Sequence, residues 1–146
     1  MLVRPTQIET HRALNMRLSR YDTMPFAPMV LEEYFDDVFT CSKSKYSSQF
    51  MTICYSTKNE WMDKIPAVVQ KSDKTARPQI ISVENNPKIH TLMTHYKELS
   101  GIPLILNTSF NTHGEPIIEN PYHAFNHLEN KVVDKLVMGN YVYKNR

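Results

Sequence analysis

The chain has 146 residues, 41% of them apolar and 22% charged, which supports one ordinary soluble globular domain with one sizeable core. A formal charge of +2 is too small to argue for wholesale nucleic-acid binding, so any basic site must be local. No apolar run approaches the roughly 20 residues of a membrane span, and residues 1–5 lack the apolar core of a secretory signal; the expectation is a cytoplasmic protein without a membrane partner.

In chain order, residues 6–19 combine good helix formers with apolar Ile8, Leu14 and Leu18, predicting an amphipathic helix that ends near Arg20. Arg17 and Arg20 lie three apart on it, so their guanidinium groups can converge on one anion; outside a motif, two solvated arginines are the commoner arrangement. Pro25 and Pro28 bracket an extended segment entering Met29, Val30 and Leu31. Residues 32–38 read as a short helix or covering loop, and residues 42–48 as a mobile polar turn. Cys41 and Cys54 lack Cys-x-x-Cys spacing and read as buried or incidental thiols, not a disulfide framework or zinc site.

Strands are expected at 50–55, 65–69, 80–83, 103–109 and 135–143, each rich in β-branched or aromatic residues. The clearest helix is capped by Asn86 and has Pro87 in its first position. It carries Ile89, Leu92, Met93, Tyr96 and Leu99 on one stripe and stops at Gly101. His90 and His95 lie off the densest part of that stripe and read as surface histidines. Strands alternating with helices favour an α/β sheet.

The most informative stretch is residues 103–116. An apolar strand through Leu104, Ile105 and Leu106 delivers Asn107, Thr108, Ser109 and Asn111 to one end, with Gly114 breaking the following loop and Pro116 stiffening its exit. Open α/β sheets bind ligands at such strand ends. The alternative is that these side chains satisfy turn backbone groups. An extended course would point Asn107, Ser109 and Asn111 to one side, toward a ligand, and Thr108 and Phe110 into packing.

The segment from Gly101 to Pro116 resembles the "TG-(I/V)-P…NTSFN-x-x-(G/E)-EPI" signature of the NodU/CmcH O-carbamoyltransferases. Three further blocks agree in order. Residues 14–20 and 24–28 resemble "LN-x-x-x-x-R…MPFAP". Residues 65–69 and 73–79 resemble "PAV-x-H-x-DGTARPQ". Asn86-Pro87 and residues 121–139 resemble "NP" and "P-x-DA…D-x-L-x-(I/L/M)-G". The resemblance implies an α/β, YrdC-like fold, a twisted mixed sheet with flanking helices, as a single domain over residues 1–146. It corresponds to the family's C-terminal part, without the amino-terminal actin-like domain: a fragment, a split-gene product or a remnant.

By resemblance the chain binds ATP and carbamoyl phosphate and forms carbamoyl adenylate, with magnesium bridging the phosphates, for transfer to a hydroxyl acceptor by an amino-terminal domain or subunit. Arg20, Ser109 and Asn111 are the implied catalytic residues. Arg17, Arg77, Asn107 and Thr108 are the implied nucleotide-binding residues; Lys74, a lysine the family lacks, and His113, in the signature loop, join them on their own chemistry, with exposed surface side chains as the alternative, and no protein metal ligand is expected. The sequence departs from the family in three places, one of them His123, which stands where the late block has an acidic residue and reads as a structural helix-start position. Leu18 stands where a lysine precedes the arginine by two, with Arg17 as a neighbouring source of charge. Lys71, Ser72, Asp73 and Lys74 replace His-x-Asp-Gly. The last two define an alternative, a non-catalytic nucleotide-binding or interaction module. Threonylcarbamoyl adenylate synthase, which shares the fold but lacks the NTSFN and MPFAP blocks, ranks last.

Overall fold

A computed structural model of the chain describes residues 1–21, 23–40 and 45–145; Cys41 and the first part of the turn expected at 42–48 lie outside these. The central sheet has four strands, β1 (Leu2–Val3), β2 (Ala27–Leu31), β6 (Gln79–Ile81) and β7 (Leu104–Asn107), in the order β1-β7-β2-β6. β2 and β6 are parallel, while β7 runs antiparallel to both β1 and β2, so the sheet is mixed. Every residue of β2 is buried, because β2 is an inner strand covered on both faces.

One face, with Met29, Leu31, Ile81 and Ile105, packs on Met93, Ile89 and Tyr96 of helix α4 (Pro87–Ser100). The other, with Val30, Ile80, Leu104 and Leu106, meets Leu14 and Leu18 at helix α1 (Ile8–Arg17) and the core of the small antiparallel sheet β3 (Phe39–Thr40), β4 (Tyr55–Thr57) and β5 (Thr75–Ala76). Short helices α2 (Phe35–Val38) and α3 (Asn59–Met62) flank that sheet. Helix α5 (Pro121–Glu129) and the hairpin β8 (Lys135–Met138) and β9 (Tyr141–Lys144) form a third unit around Ala124, Leu128 and Leu136.

Helix α4 has the expected ends: the Asn86 side chain accepts from the Ile89 amide, and Gly101 is left-handed at φ 73. Its apolar stripe is narrower than expected, since Leu92 and Leu99 are exposed. His90 is half-buried and 3.2 Å from Glu33, and His95 is exposed and 3.2 Å from Glu98, so both have acidic partners.

Several expected strands take other forms. Residues 65–69 are a buried turn: Pro66 has no amide proton, and the amides of Ile65, Val68 and Ala67 donate to Trp61, Ile65 and Pro5 carbonyls. A 3₁₀ turn, Tyr46–Phe50, replaces the start of the strand at 50–55; left-handed Met51 ends it, and pairing begins only at Tyr55. Ser48, expected in a mobile turn, is buried and donates to Tyr55 Oη at 2.6 Å. Residues 135–143 are two strands folded at Gly139-Asn140, with Met138 opposite Tyr141 and Gly139 at φ 56. Cys54 is exposed, not buried.

Candidate functional site

The register of the central sheet brings separate sequence blocks to one edge. Asn107, the last residue of β7, pairs with Leu2 on one side and Ala27 on the other, while Met29 pairs with Gln79. Phe26, the Arg77-Pro78 pair and Thr108 therefore stand just beyond the ladder at the same end. The Thr108 amide continues the pairing by donating to the Met1 carbonyl at 3.1 Å. The edge combines the carboxyl end of β7 with the amino ends of β2 and β6, unlike the all-carboxyl edge of a parallel sheet.

Arg20 joins this edge from α1. Ser19, left-handed at φ 53, turns the chain out of the helix, and the Arg20 amide closes the turn on the Asn15 carbonyl at 2.8 Å. The guanidinium lies over the Phe26 ring, 4.6 Å from its centroid, and Nη1 donates to Thr108 Oγ1 at 3.3 Å. Burial pulls the Arg20 pKa below its ordinary value. Arg17, expected to converge with Arg20, ends the helix and donates to Asp134 Oδ1 at 2.8 Å, so the two guanidiniums are committed to different partners. Leu18, where the resemblance calls for lysine, is 1% exposed in the core.

The expected strand over 103–109 leaves the ladder at Asn107: Thr108 and Met1 still exchange backbone bonds, but no ladder partner follows from Ser109 onward. The alternation expected to aim Asn107, Ser109 and Asn111 to one side therefore has no ladder behind it. Asn107 Nδ2 donates to Gln79 Oε1 at 3.3 Å. Thr108, expected to face packing, meets Arg20; Phe110 does pack, against His127 with ring centroids 5.5 Å apart. Ser109 is exposed, its hydroxyl without a protein partner among the described residues. Asn111 Nδ2 donates to the carbonyls of Thr112, at 3.1 Å, and Glu115, at 2.7 Å, so it does tie the turn; its Oδ1 is buried without a partner among the described residues. Exposed His113 anchors the loop to the end of α1, its amide donating to the Leu18 carbonyl at 2.8 Å, and its ring lies 6.4 Å from that of Tyr21.

Beside Phe26, a cleft of about 320 Å³ is bordered by Arg77, Gln70, Thr75 and Asp73. Asp73 accepts from the amide and hydroxyl of Thr75 at 3.0 and 2.8 Å, and these bonds, the amide's first, hold its carboxyl below the usual carboxylate range. Lys74 is exposed at φ 59. That conformation accounts for the glycine of the resembled motif, since a left-handed residue tolerates glycine best. Sequence reasoning missed Gln79 as the partner of Asn107, Asp134 as the partner of Arg17, and His127 behind Phe110. Each pairing spans many residues, and no local pattern signals it.

The family described as carbamoyltransferase C-terminus matches residues 1–145. The chain belongs to this family. It is similar to an uncharacterized protein of Methanocaldococcus jannaschii, 37% identical over 138 residues, covering 94% of this chain and 26% of that one. It is also similar to nodulation protein U of Sinorhizobium fredii, 37% identical over 114 residues, covering 78% of this chain and 20% of that one. The chain thus spans about a quarter or less of these relatives' length. A crystal structure of full-length HypF in its phosphate- and nucleotide-bound form matches 88% of this chain and 19% of that one, with a TM-score of 0.63 and 21% identity. The expected α/β, YrdC-like fold, a mixed sheet with flanking helices, is borne out. No helix among the described residues is long and apolar enough to cross a membrane.

Proposed function

We propose that the chain is the carbamoyl-activating domain of a cytoplasmic O-carbamoyltransferase, binding ATP and carbamoyl phosphate and passing carbamoyl adenylate to an amino-terminal actin-like domain or subunit. The observation that carries this reading is the Arg20–Thr108 contact on the face of Phe26, which joins two motif blocks at one edge. In the reaction, water first cleaves carbamoyl phosphate to carbamate and phosphate. A carbamate oxygen then attacks the α-phosphorus of ATP, the bond to the bridging β-phosphate oxygen breaks, and pyrophosphate leaves.

Arg20 and Arg77, with Lys74 at the rim, neutralise phosphate oxygens, and Arg20 is pre-set by its stacking on Phe26. Ser109 and Thr108 offer hydroxyls. The buried Oδ1 of Asn111 has no donor among the described residues, at a cost of about 1–3 kcal/mol, and it would meet the N–H donors of a carbamoyl group once the turn shifts to uncover it. Asn107, held by Gln79, fixes the strand end, while His113 and Arg17 border the loop and the helix end. No three His, Cys, Asp or Glu side chains gather as a metal site among the described residues, and the cleft beside Phe26 sets one carboxylate, Asp73, among Arg77 and neutral polar side chains. Such a surface suits magnesium held through the nucleotide's own phosphates and water, where the ion supplies further charge neutralisation.

The burial of Leu18 and the pairing of Arg17 favour a second reading, a module that binds nucleotide without turnover. Calorimetric titration with a non-hydrolysable ATP analogue and magnesium, with and without carbamoyl phosphate, tests the site. Saturable binding is expected, weakened about tenfold or more in Arg20→Ala, the loss of one charged hydrogen bond. Equal affinity in the variant, or no binding by the folded chain, refutes the site. ATP binding without carbamoyl adenylate formation in the presence of an amino-terminal partner selects the second reading.

A further inference from the structure

Asn15 of α1 is fully buried, and its side-chain oxygen Oδ1 meets no hydrogen-bond donor among the described residues. A buried acceptor left without a donor carries a desolvation cost that an apolar side chain would avoid. The work of its other atoms accounts for an asparagine there. Nδ2 donates to the Met24 carbonyl at 3.3 Å and lies 3.4 Å from His11 Nδ1. His11, one helical turn earlier on the same face, places Nε2 3.1 Å from the same Met24 carbonyl. A carbonyl only accepts, so Nε2 carries a proton, and in the neutral ring Nδ1 offers a lone pair to Asn15. Both neighbours of Nδ2 are acceptors, which orients the amide with Oδ1 turned away from them.

The backbone of Asn15 holds the other end of the same loop, its carbonyl receiving the Arg20 amide at 2.8 Å. One residue therefore fixes both Arg20 and Met24, and the Met24 amide closes the loop further on the Tyr21 carbonyl at 2.9 Å. Two residues beyond Met24, the Phe26 ring lies under the Arg20 guanidinium, 4.6 Å from its centroid, and makes a T-shaped contact with the His11 ring at 5.2 Å. The stack joins the two ends of the loop, so its geometry depends on how firmly Met24 is tied to α1. Any residue can offer the backbone carbonyl; the tie to Met24 needs a side-chain donor at position 15.

We propose that Asn15 is a positioning residue: with His11 it ties the Met24 carbonyl to α1 and so holds Phe26 under the Arg20 guanidinium. The inference deepens the reading of this edge as a ligand site and rests on that reading only for its effect on binding.

Nuclear magnetic resonance of the full chain gives a readout free of ligand. Side-chain protons of Arg20 held over the Phe26 ring resonate upfield, and Phe26→Leu, which removes the ring, sets the reference. Asn15→Ala should lose most of that displacement. Its urea midpoint should stay close to wild type, because the unsatisfied Oδ1 goes, alanine is the better helix former, and the Met24 carbonyl keeps His11. Affinity for the ATP analogue should weaken about two- to tenfold, the cost of ordering one long side chain on binding. His11 is only half-buried, so it tests the same tie without opening the core. His11→Leu should also lose the displacement, and His11→Gln, whose amide can donate to Met24, should retain it.

Displacement retained in Asn15→Ala overturns the proposal, and a lowered midpoint beside it assigns Asn15 a structural role alone. Should Asn15→Ala fail to fold, displacement retained in His11→Leu overturns it instead. A wild-type chain whose Arg20 protons match those of Phe26→Leu overturns it as well. Unweakened affinity in a variant that has lost the displacement, in a chain whose binding needs Arg20, overturns the positioning role. A wild-type chain that binds no nucleotide refutes the ligand-site reading, and the displacement still decides the hold on Arg20.

Discussion

Leu18→Lys restores the lysine that the resembled motif carries two residues before Arg20, and its expected effect is loss of stability without gain of function. Leu18 is 1% exposed and packs in the main core. Removing a fully buried leucine side chain forfeits about 1.5–3 kcal/mol of transfer energy. An ammonium confined there adds a penalty of several kcal/mol unless it deprotonates or escapes to the surface. A total of about 3–5 kcal/mol is expected, which lowers the melting temperature by about 10–15 °C in a chain of this size. The volume-conserving Leu18→Met should cost less than about 1.5 kcal/mol. A buried lysine also has a folded-state pKa below its unfolded value, so the unfolded chain binds more protons between the two. Stability of Leu18→Lys should therefore rise as pH increases toward about 10 and fall on acidification. Urea titrations at pH 6 and pH 9, beside Leu18→Met, measure both effects. A Leu18→Lys chain as stable as wild type and binding the ATP analogue more tightly would refute the assignment of this position to the core.

Lys74→Gly should stabilise the chain by about 0.5–1 kcal/mol, because Lys74 holds a left-handed φ of 59 that costs an L-residue about 1–2 kcal/mol, offset in part by the backbone freedom glycine adds to the unfolded chain; an unchanged denaturation midpoint would argue against strain there. Asp73→Asn should flatten the acid limb of the stability curve. The carboxyl is held low by Thr75, so its contribution is present above the unfolded pKa near 3.9 and is lost as pH falls through the lower folded value. Denaturation midpoints at pH 5 and pH 3 compare the two chains, and an identical drop in both would contradict the role of the Thr75 bonds.

Much of the central architecture is legible locally. Asn86, Pro87 and Gly101 specify the ends of α4 by capping chemistry, and the apolar runs of β2, β6 and β7 mark the buried sheet. The errors arise where burial alone mimics a strand. Ile65, Ala67 and Val68 are as buried as strand residues, but Pro66 and the Trp61 carbonyl fold them into a turn. At the site, Arg20 and Thr108 are visible through their motifs, whereas their contact, 88 residues apart, depends on the left-handed turn at Ser19 and on where β7 ends. Gly139-Asn140, read within a continuous strand, is a turn signal that local rules recognise.

The polarity of the edge explains why arginine must supply its charge. A parallel α/β sheet gathers carboxyl strand ends with following helix amino termini, whose free amides and positive dipole ends attract phosphate. Here β7 contributes a carboxyl end but β2 and β6 contribute amino ends, and the helix that reaches the edge, α1, does so through its carboxyl end. That end carries partial negative charge and repels anions. Arg20, three residues beyond Arg17, lies just past it and reverses the local sign, with Phe26 beneath the guanidinium limiting its freedom. Under the proposed reading, anion recognition at this edge would be concentrated in a few cationic side chains, and loss of Arg20 would leave a helix carboxyl end facing the ligand.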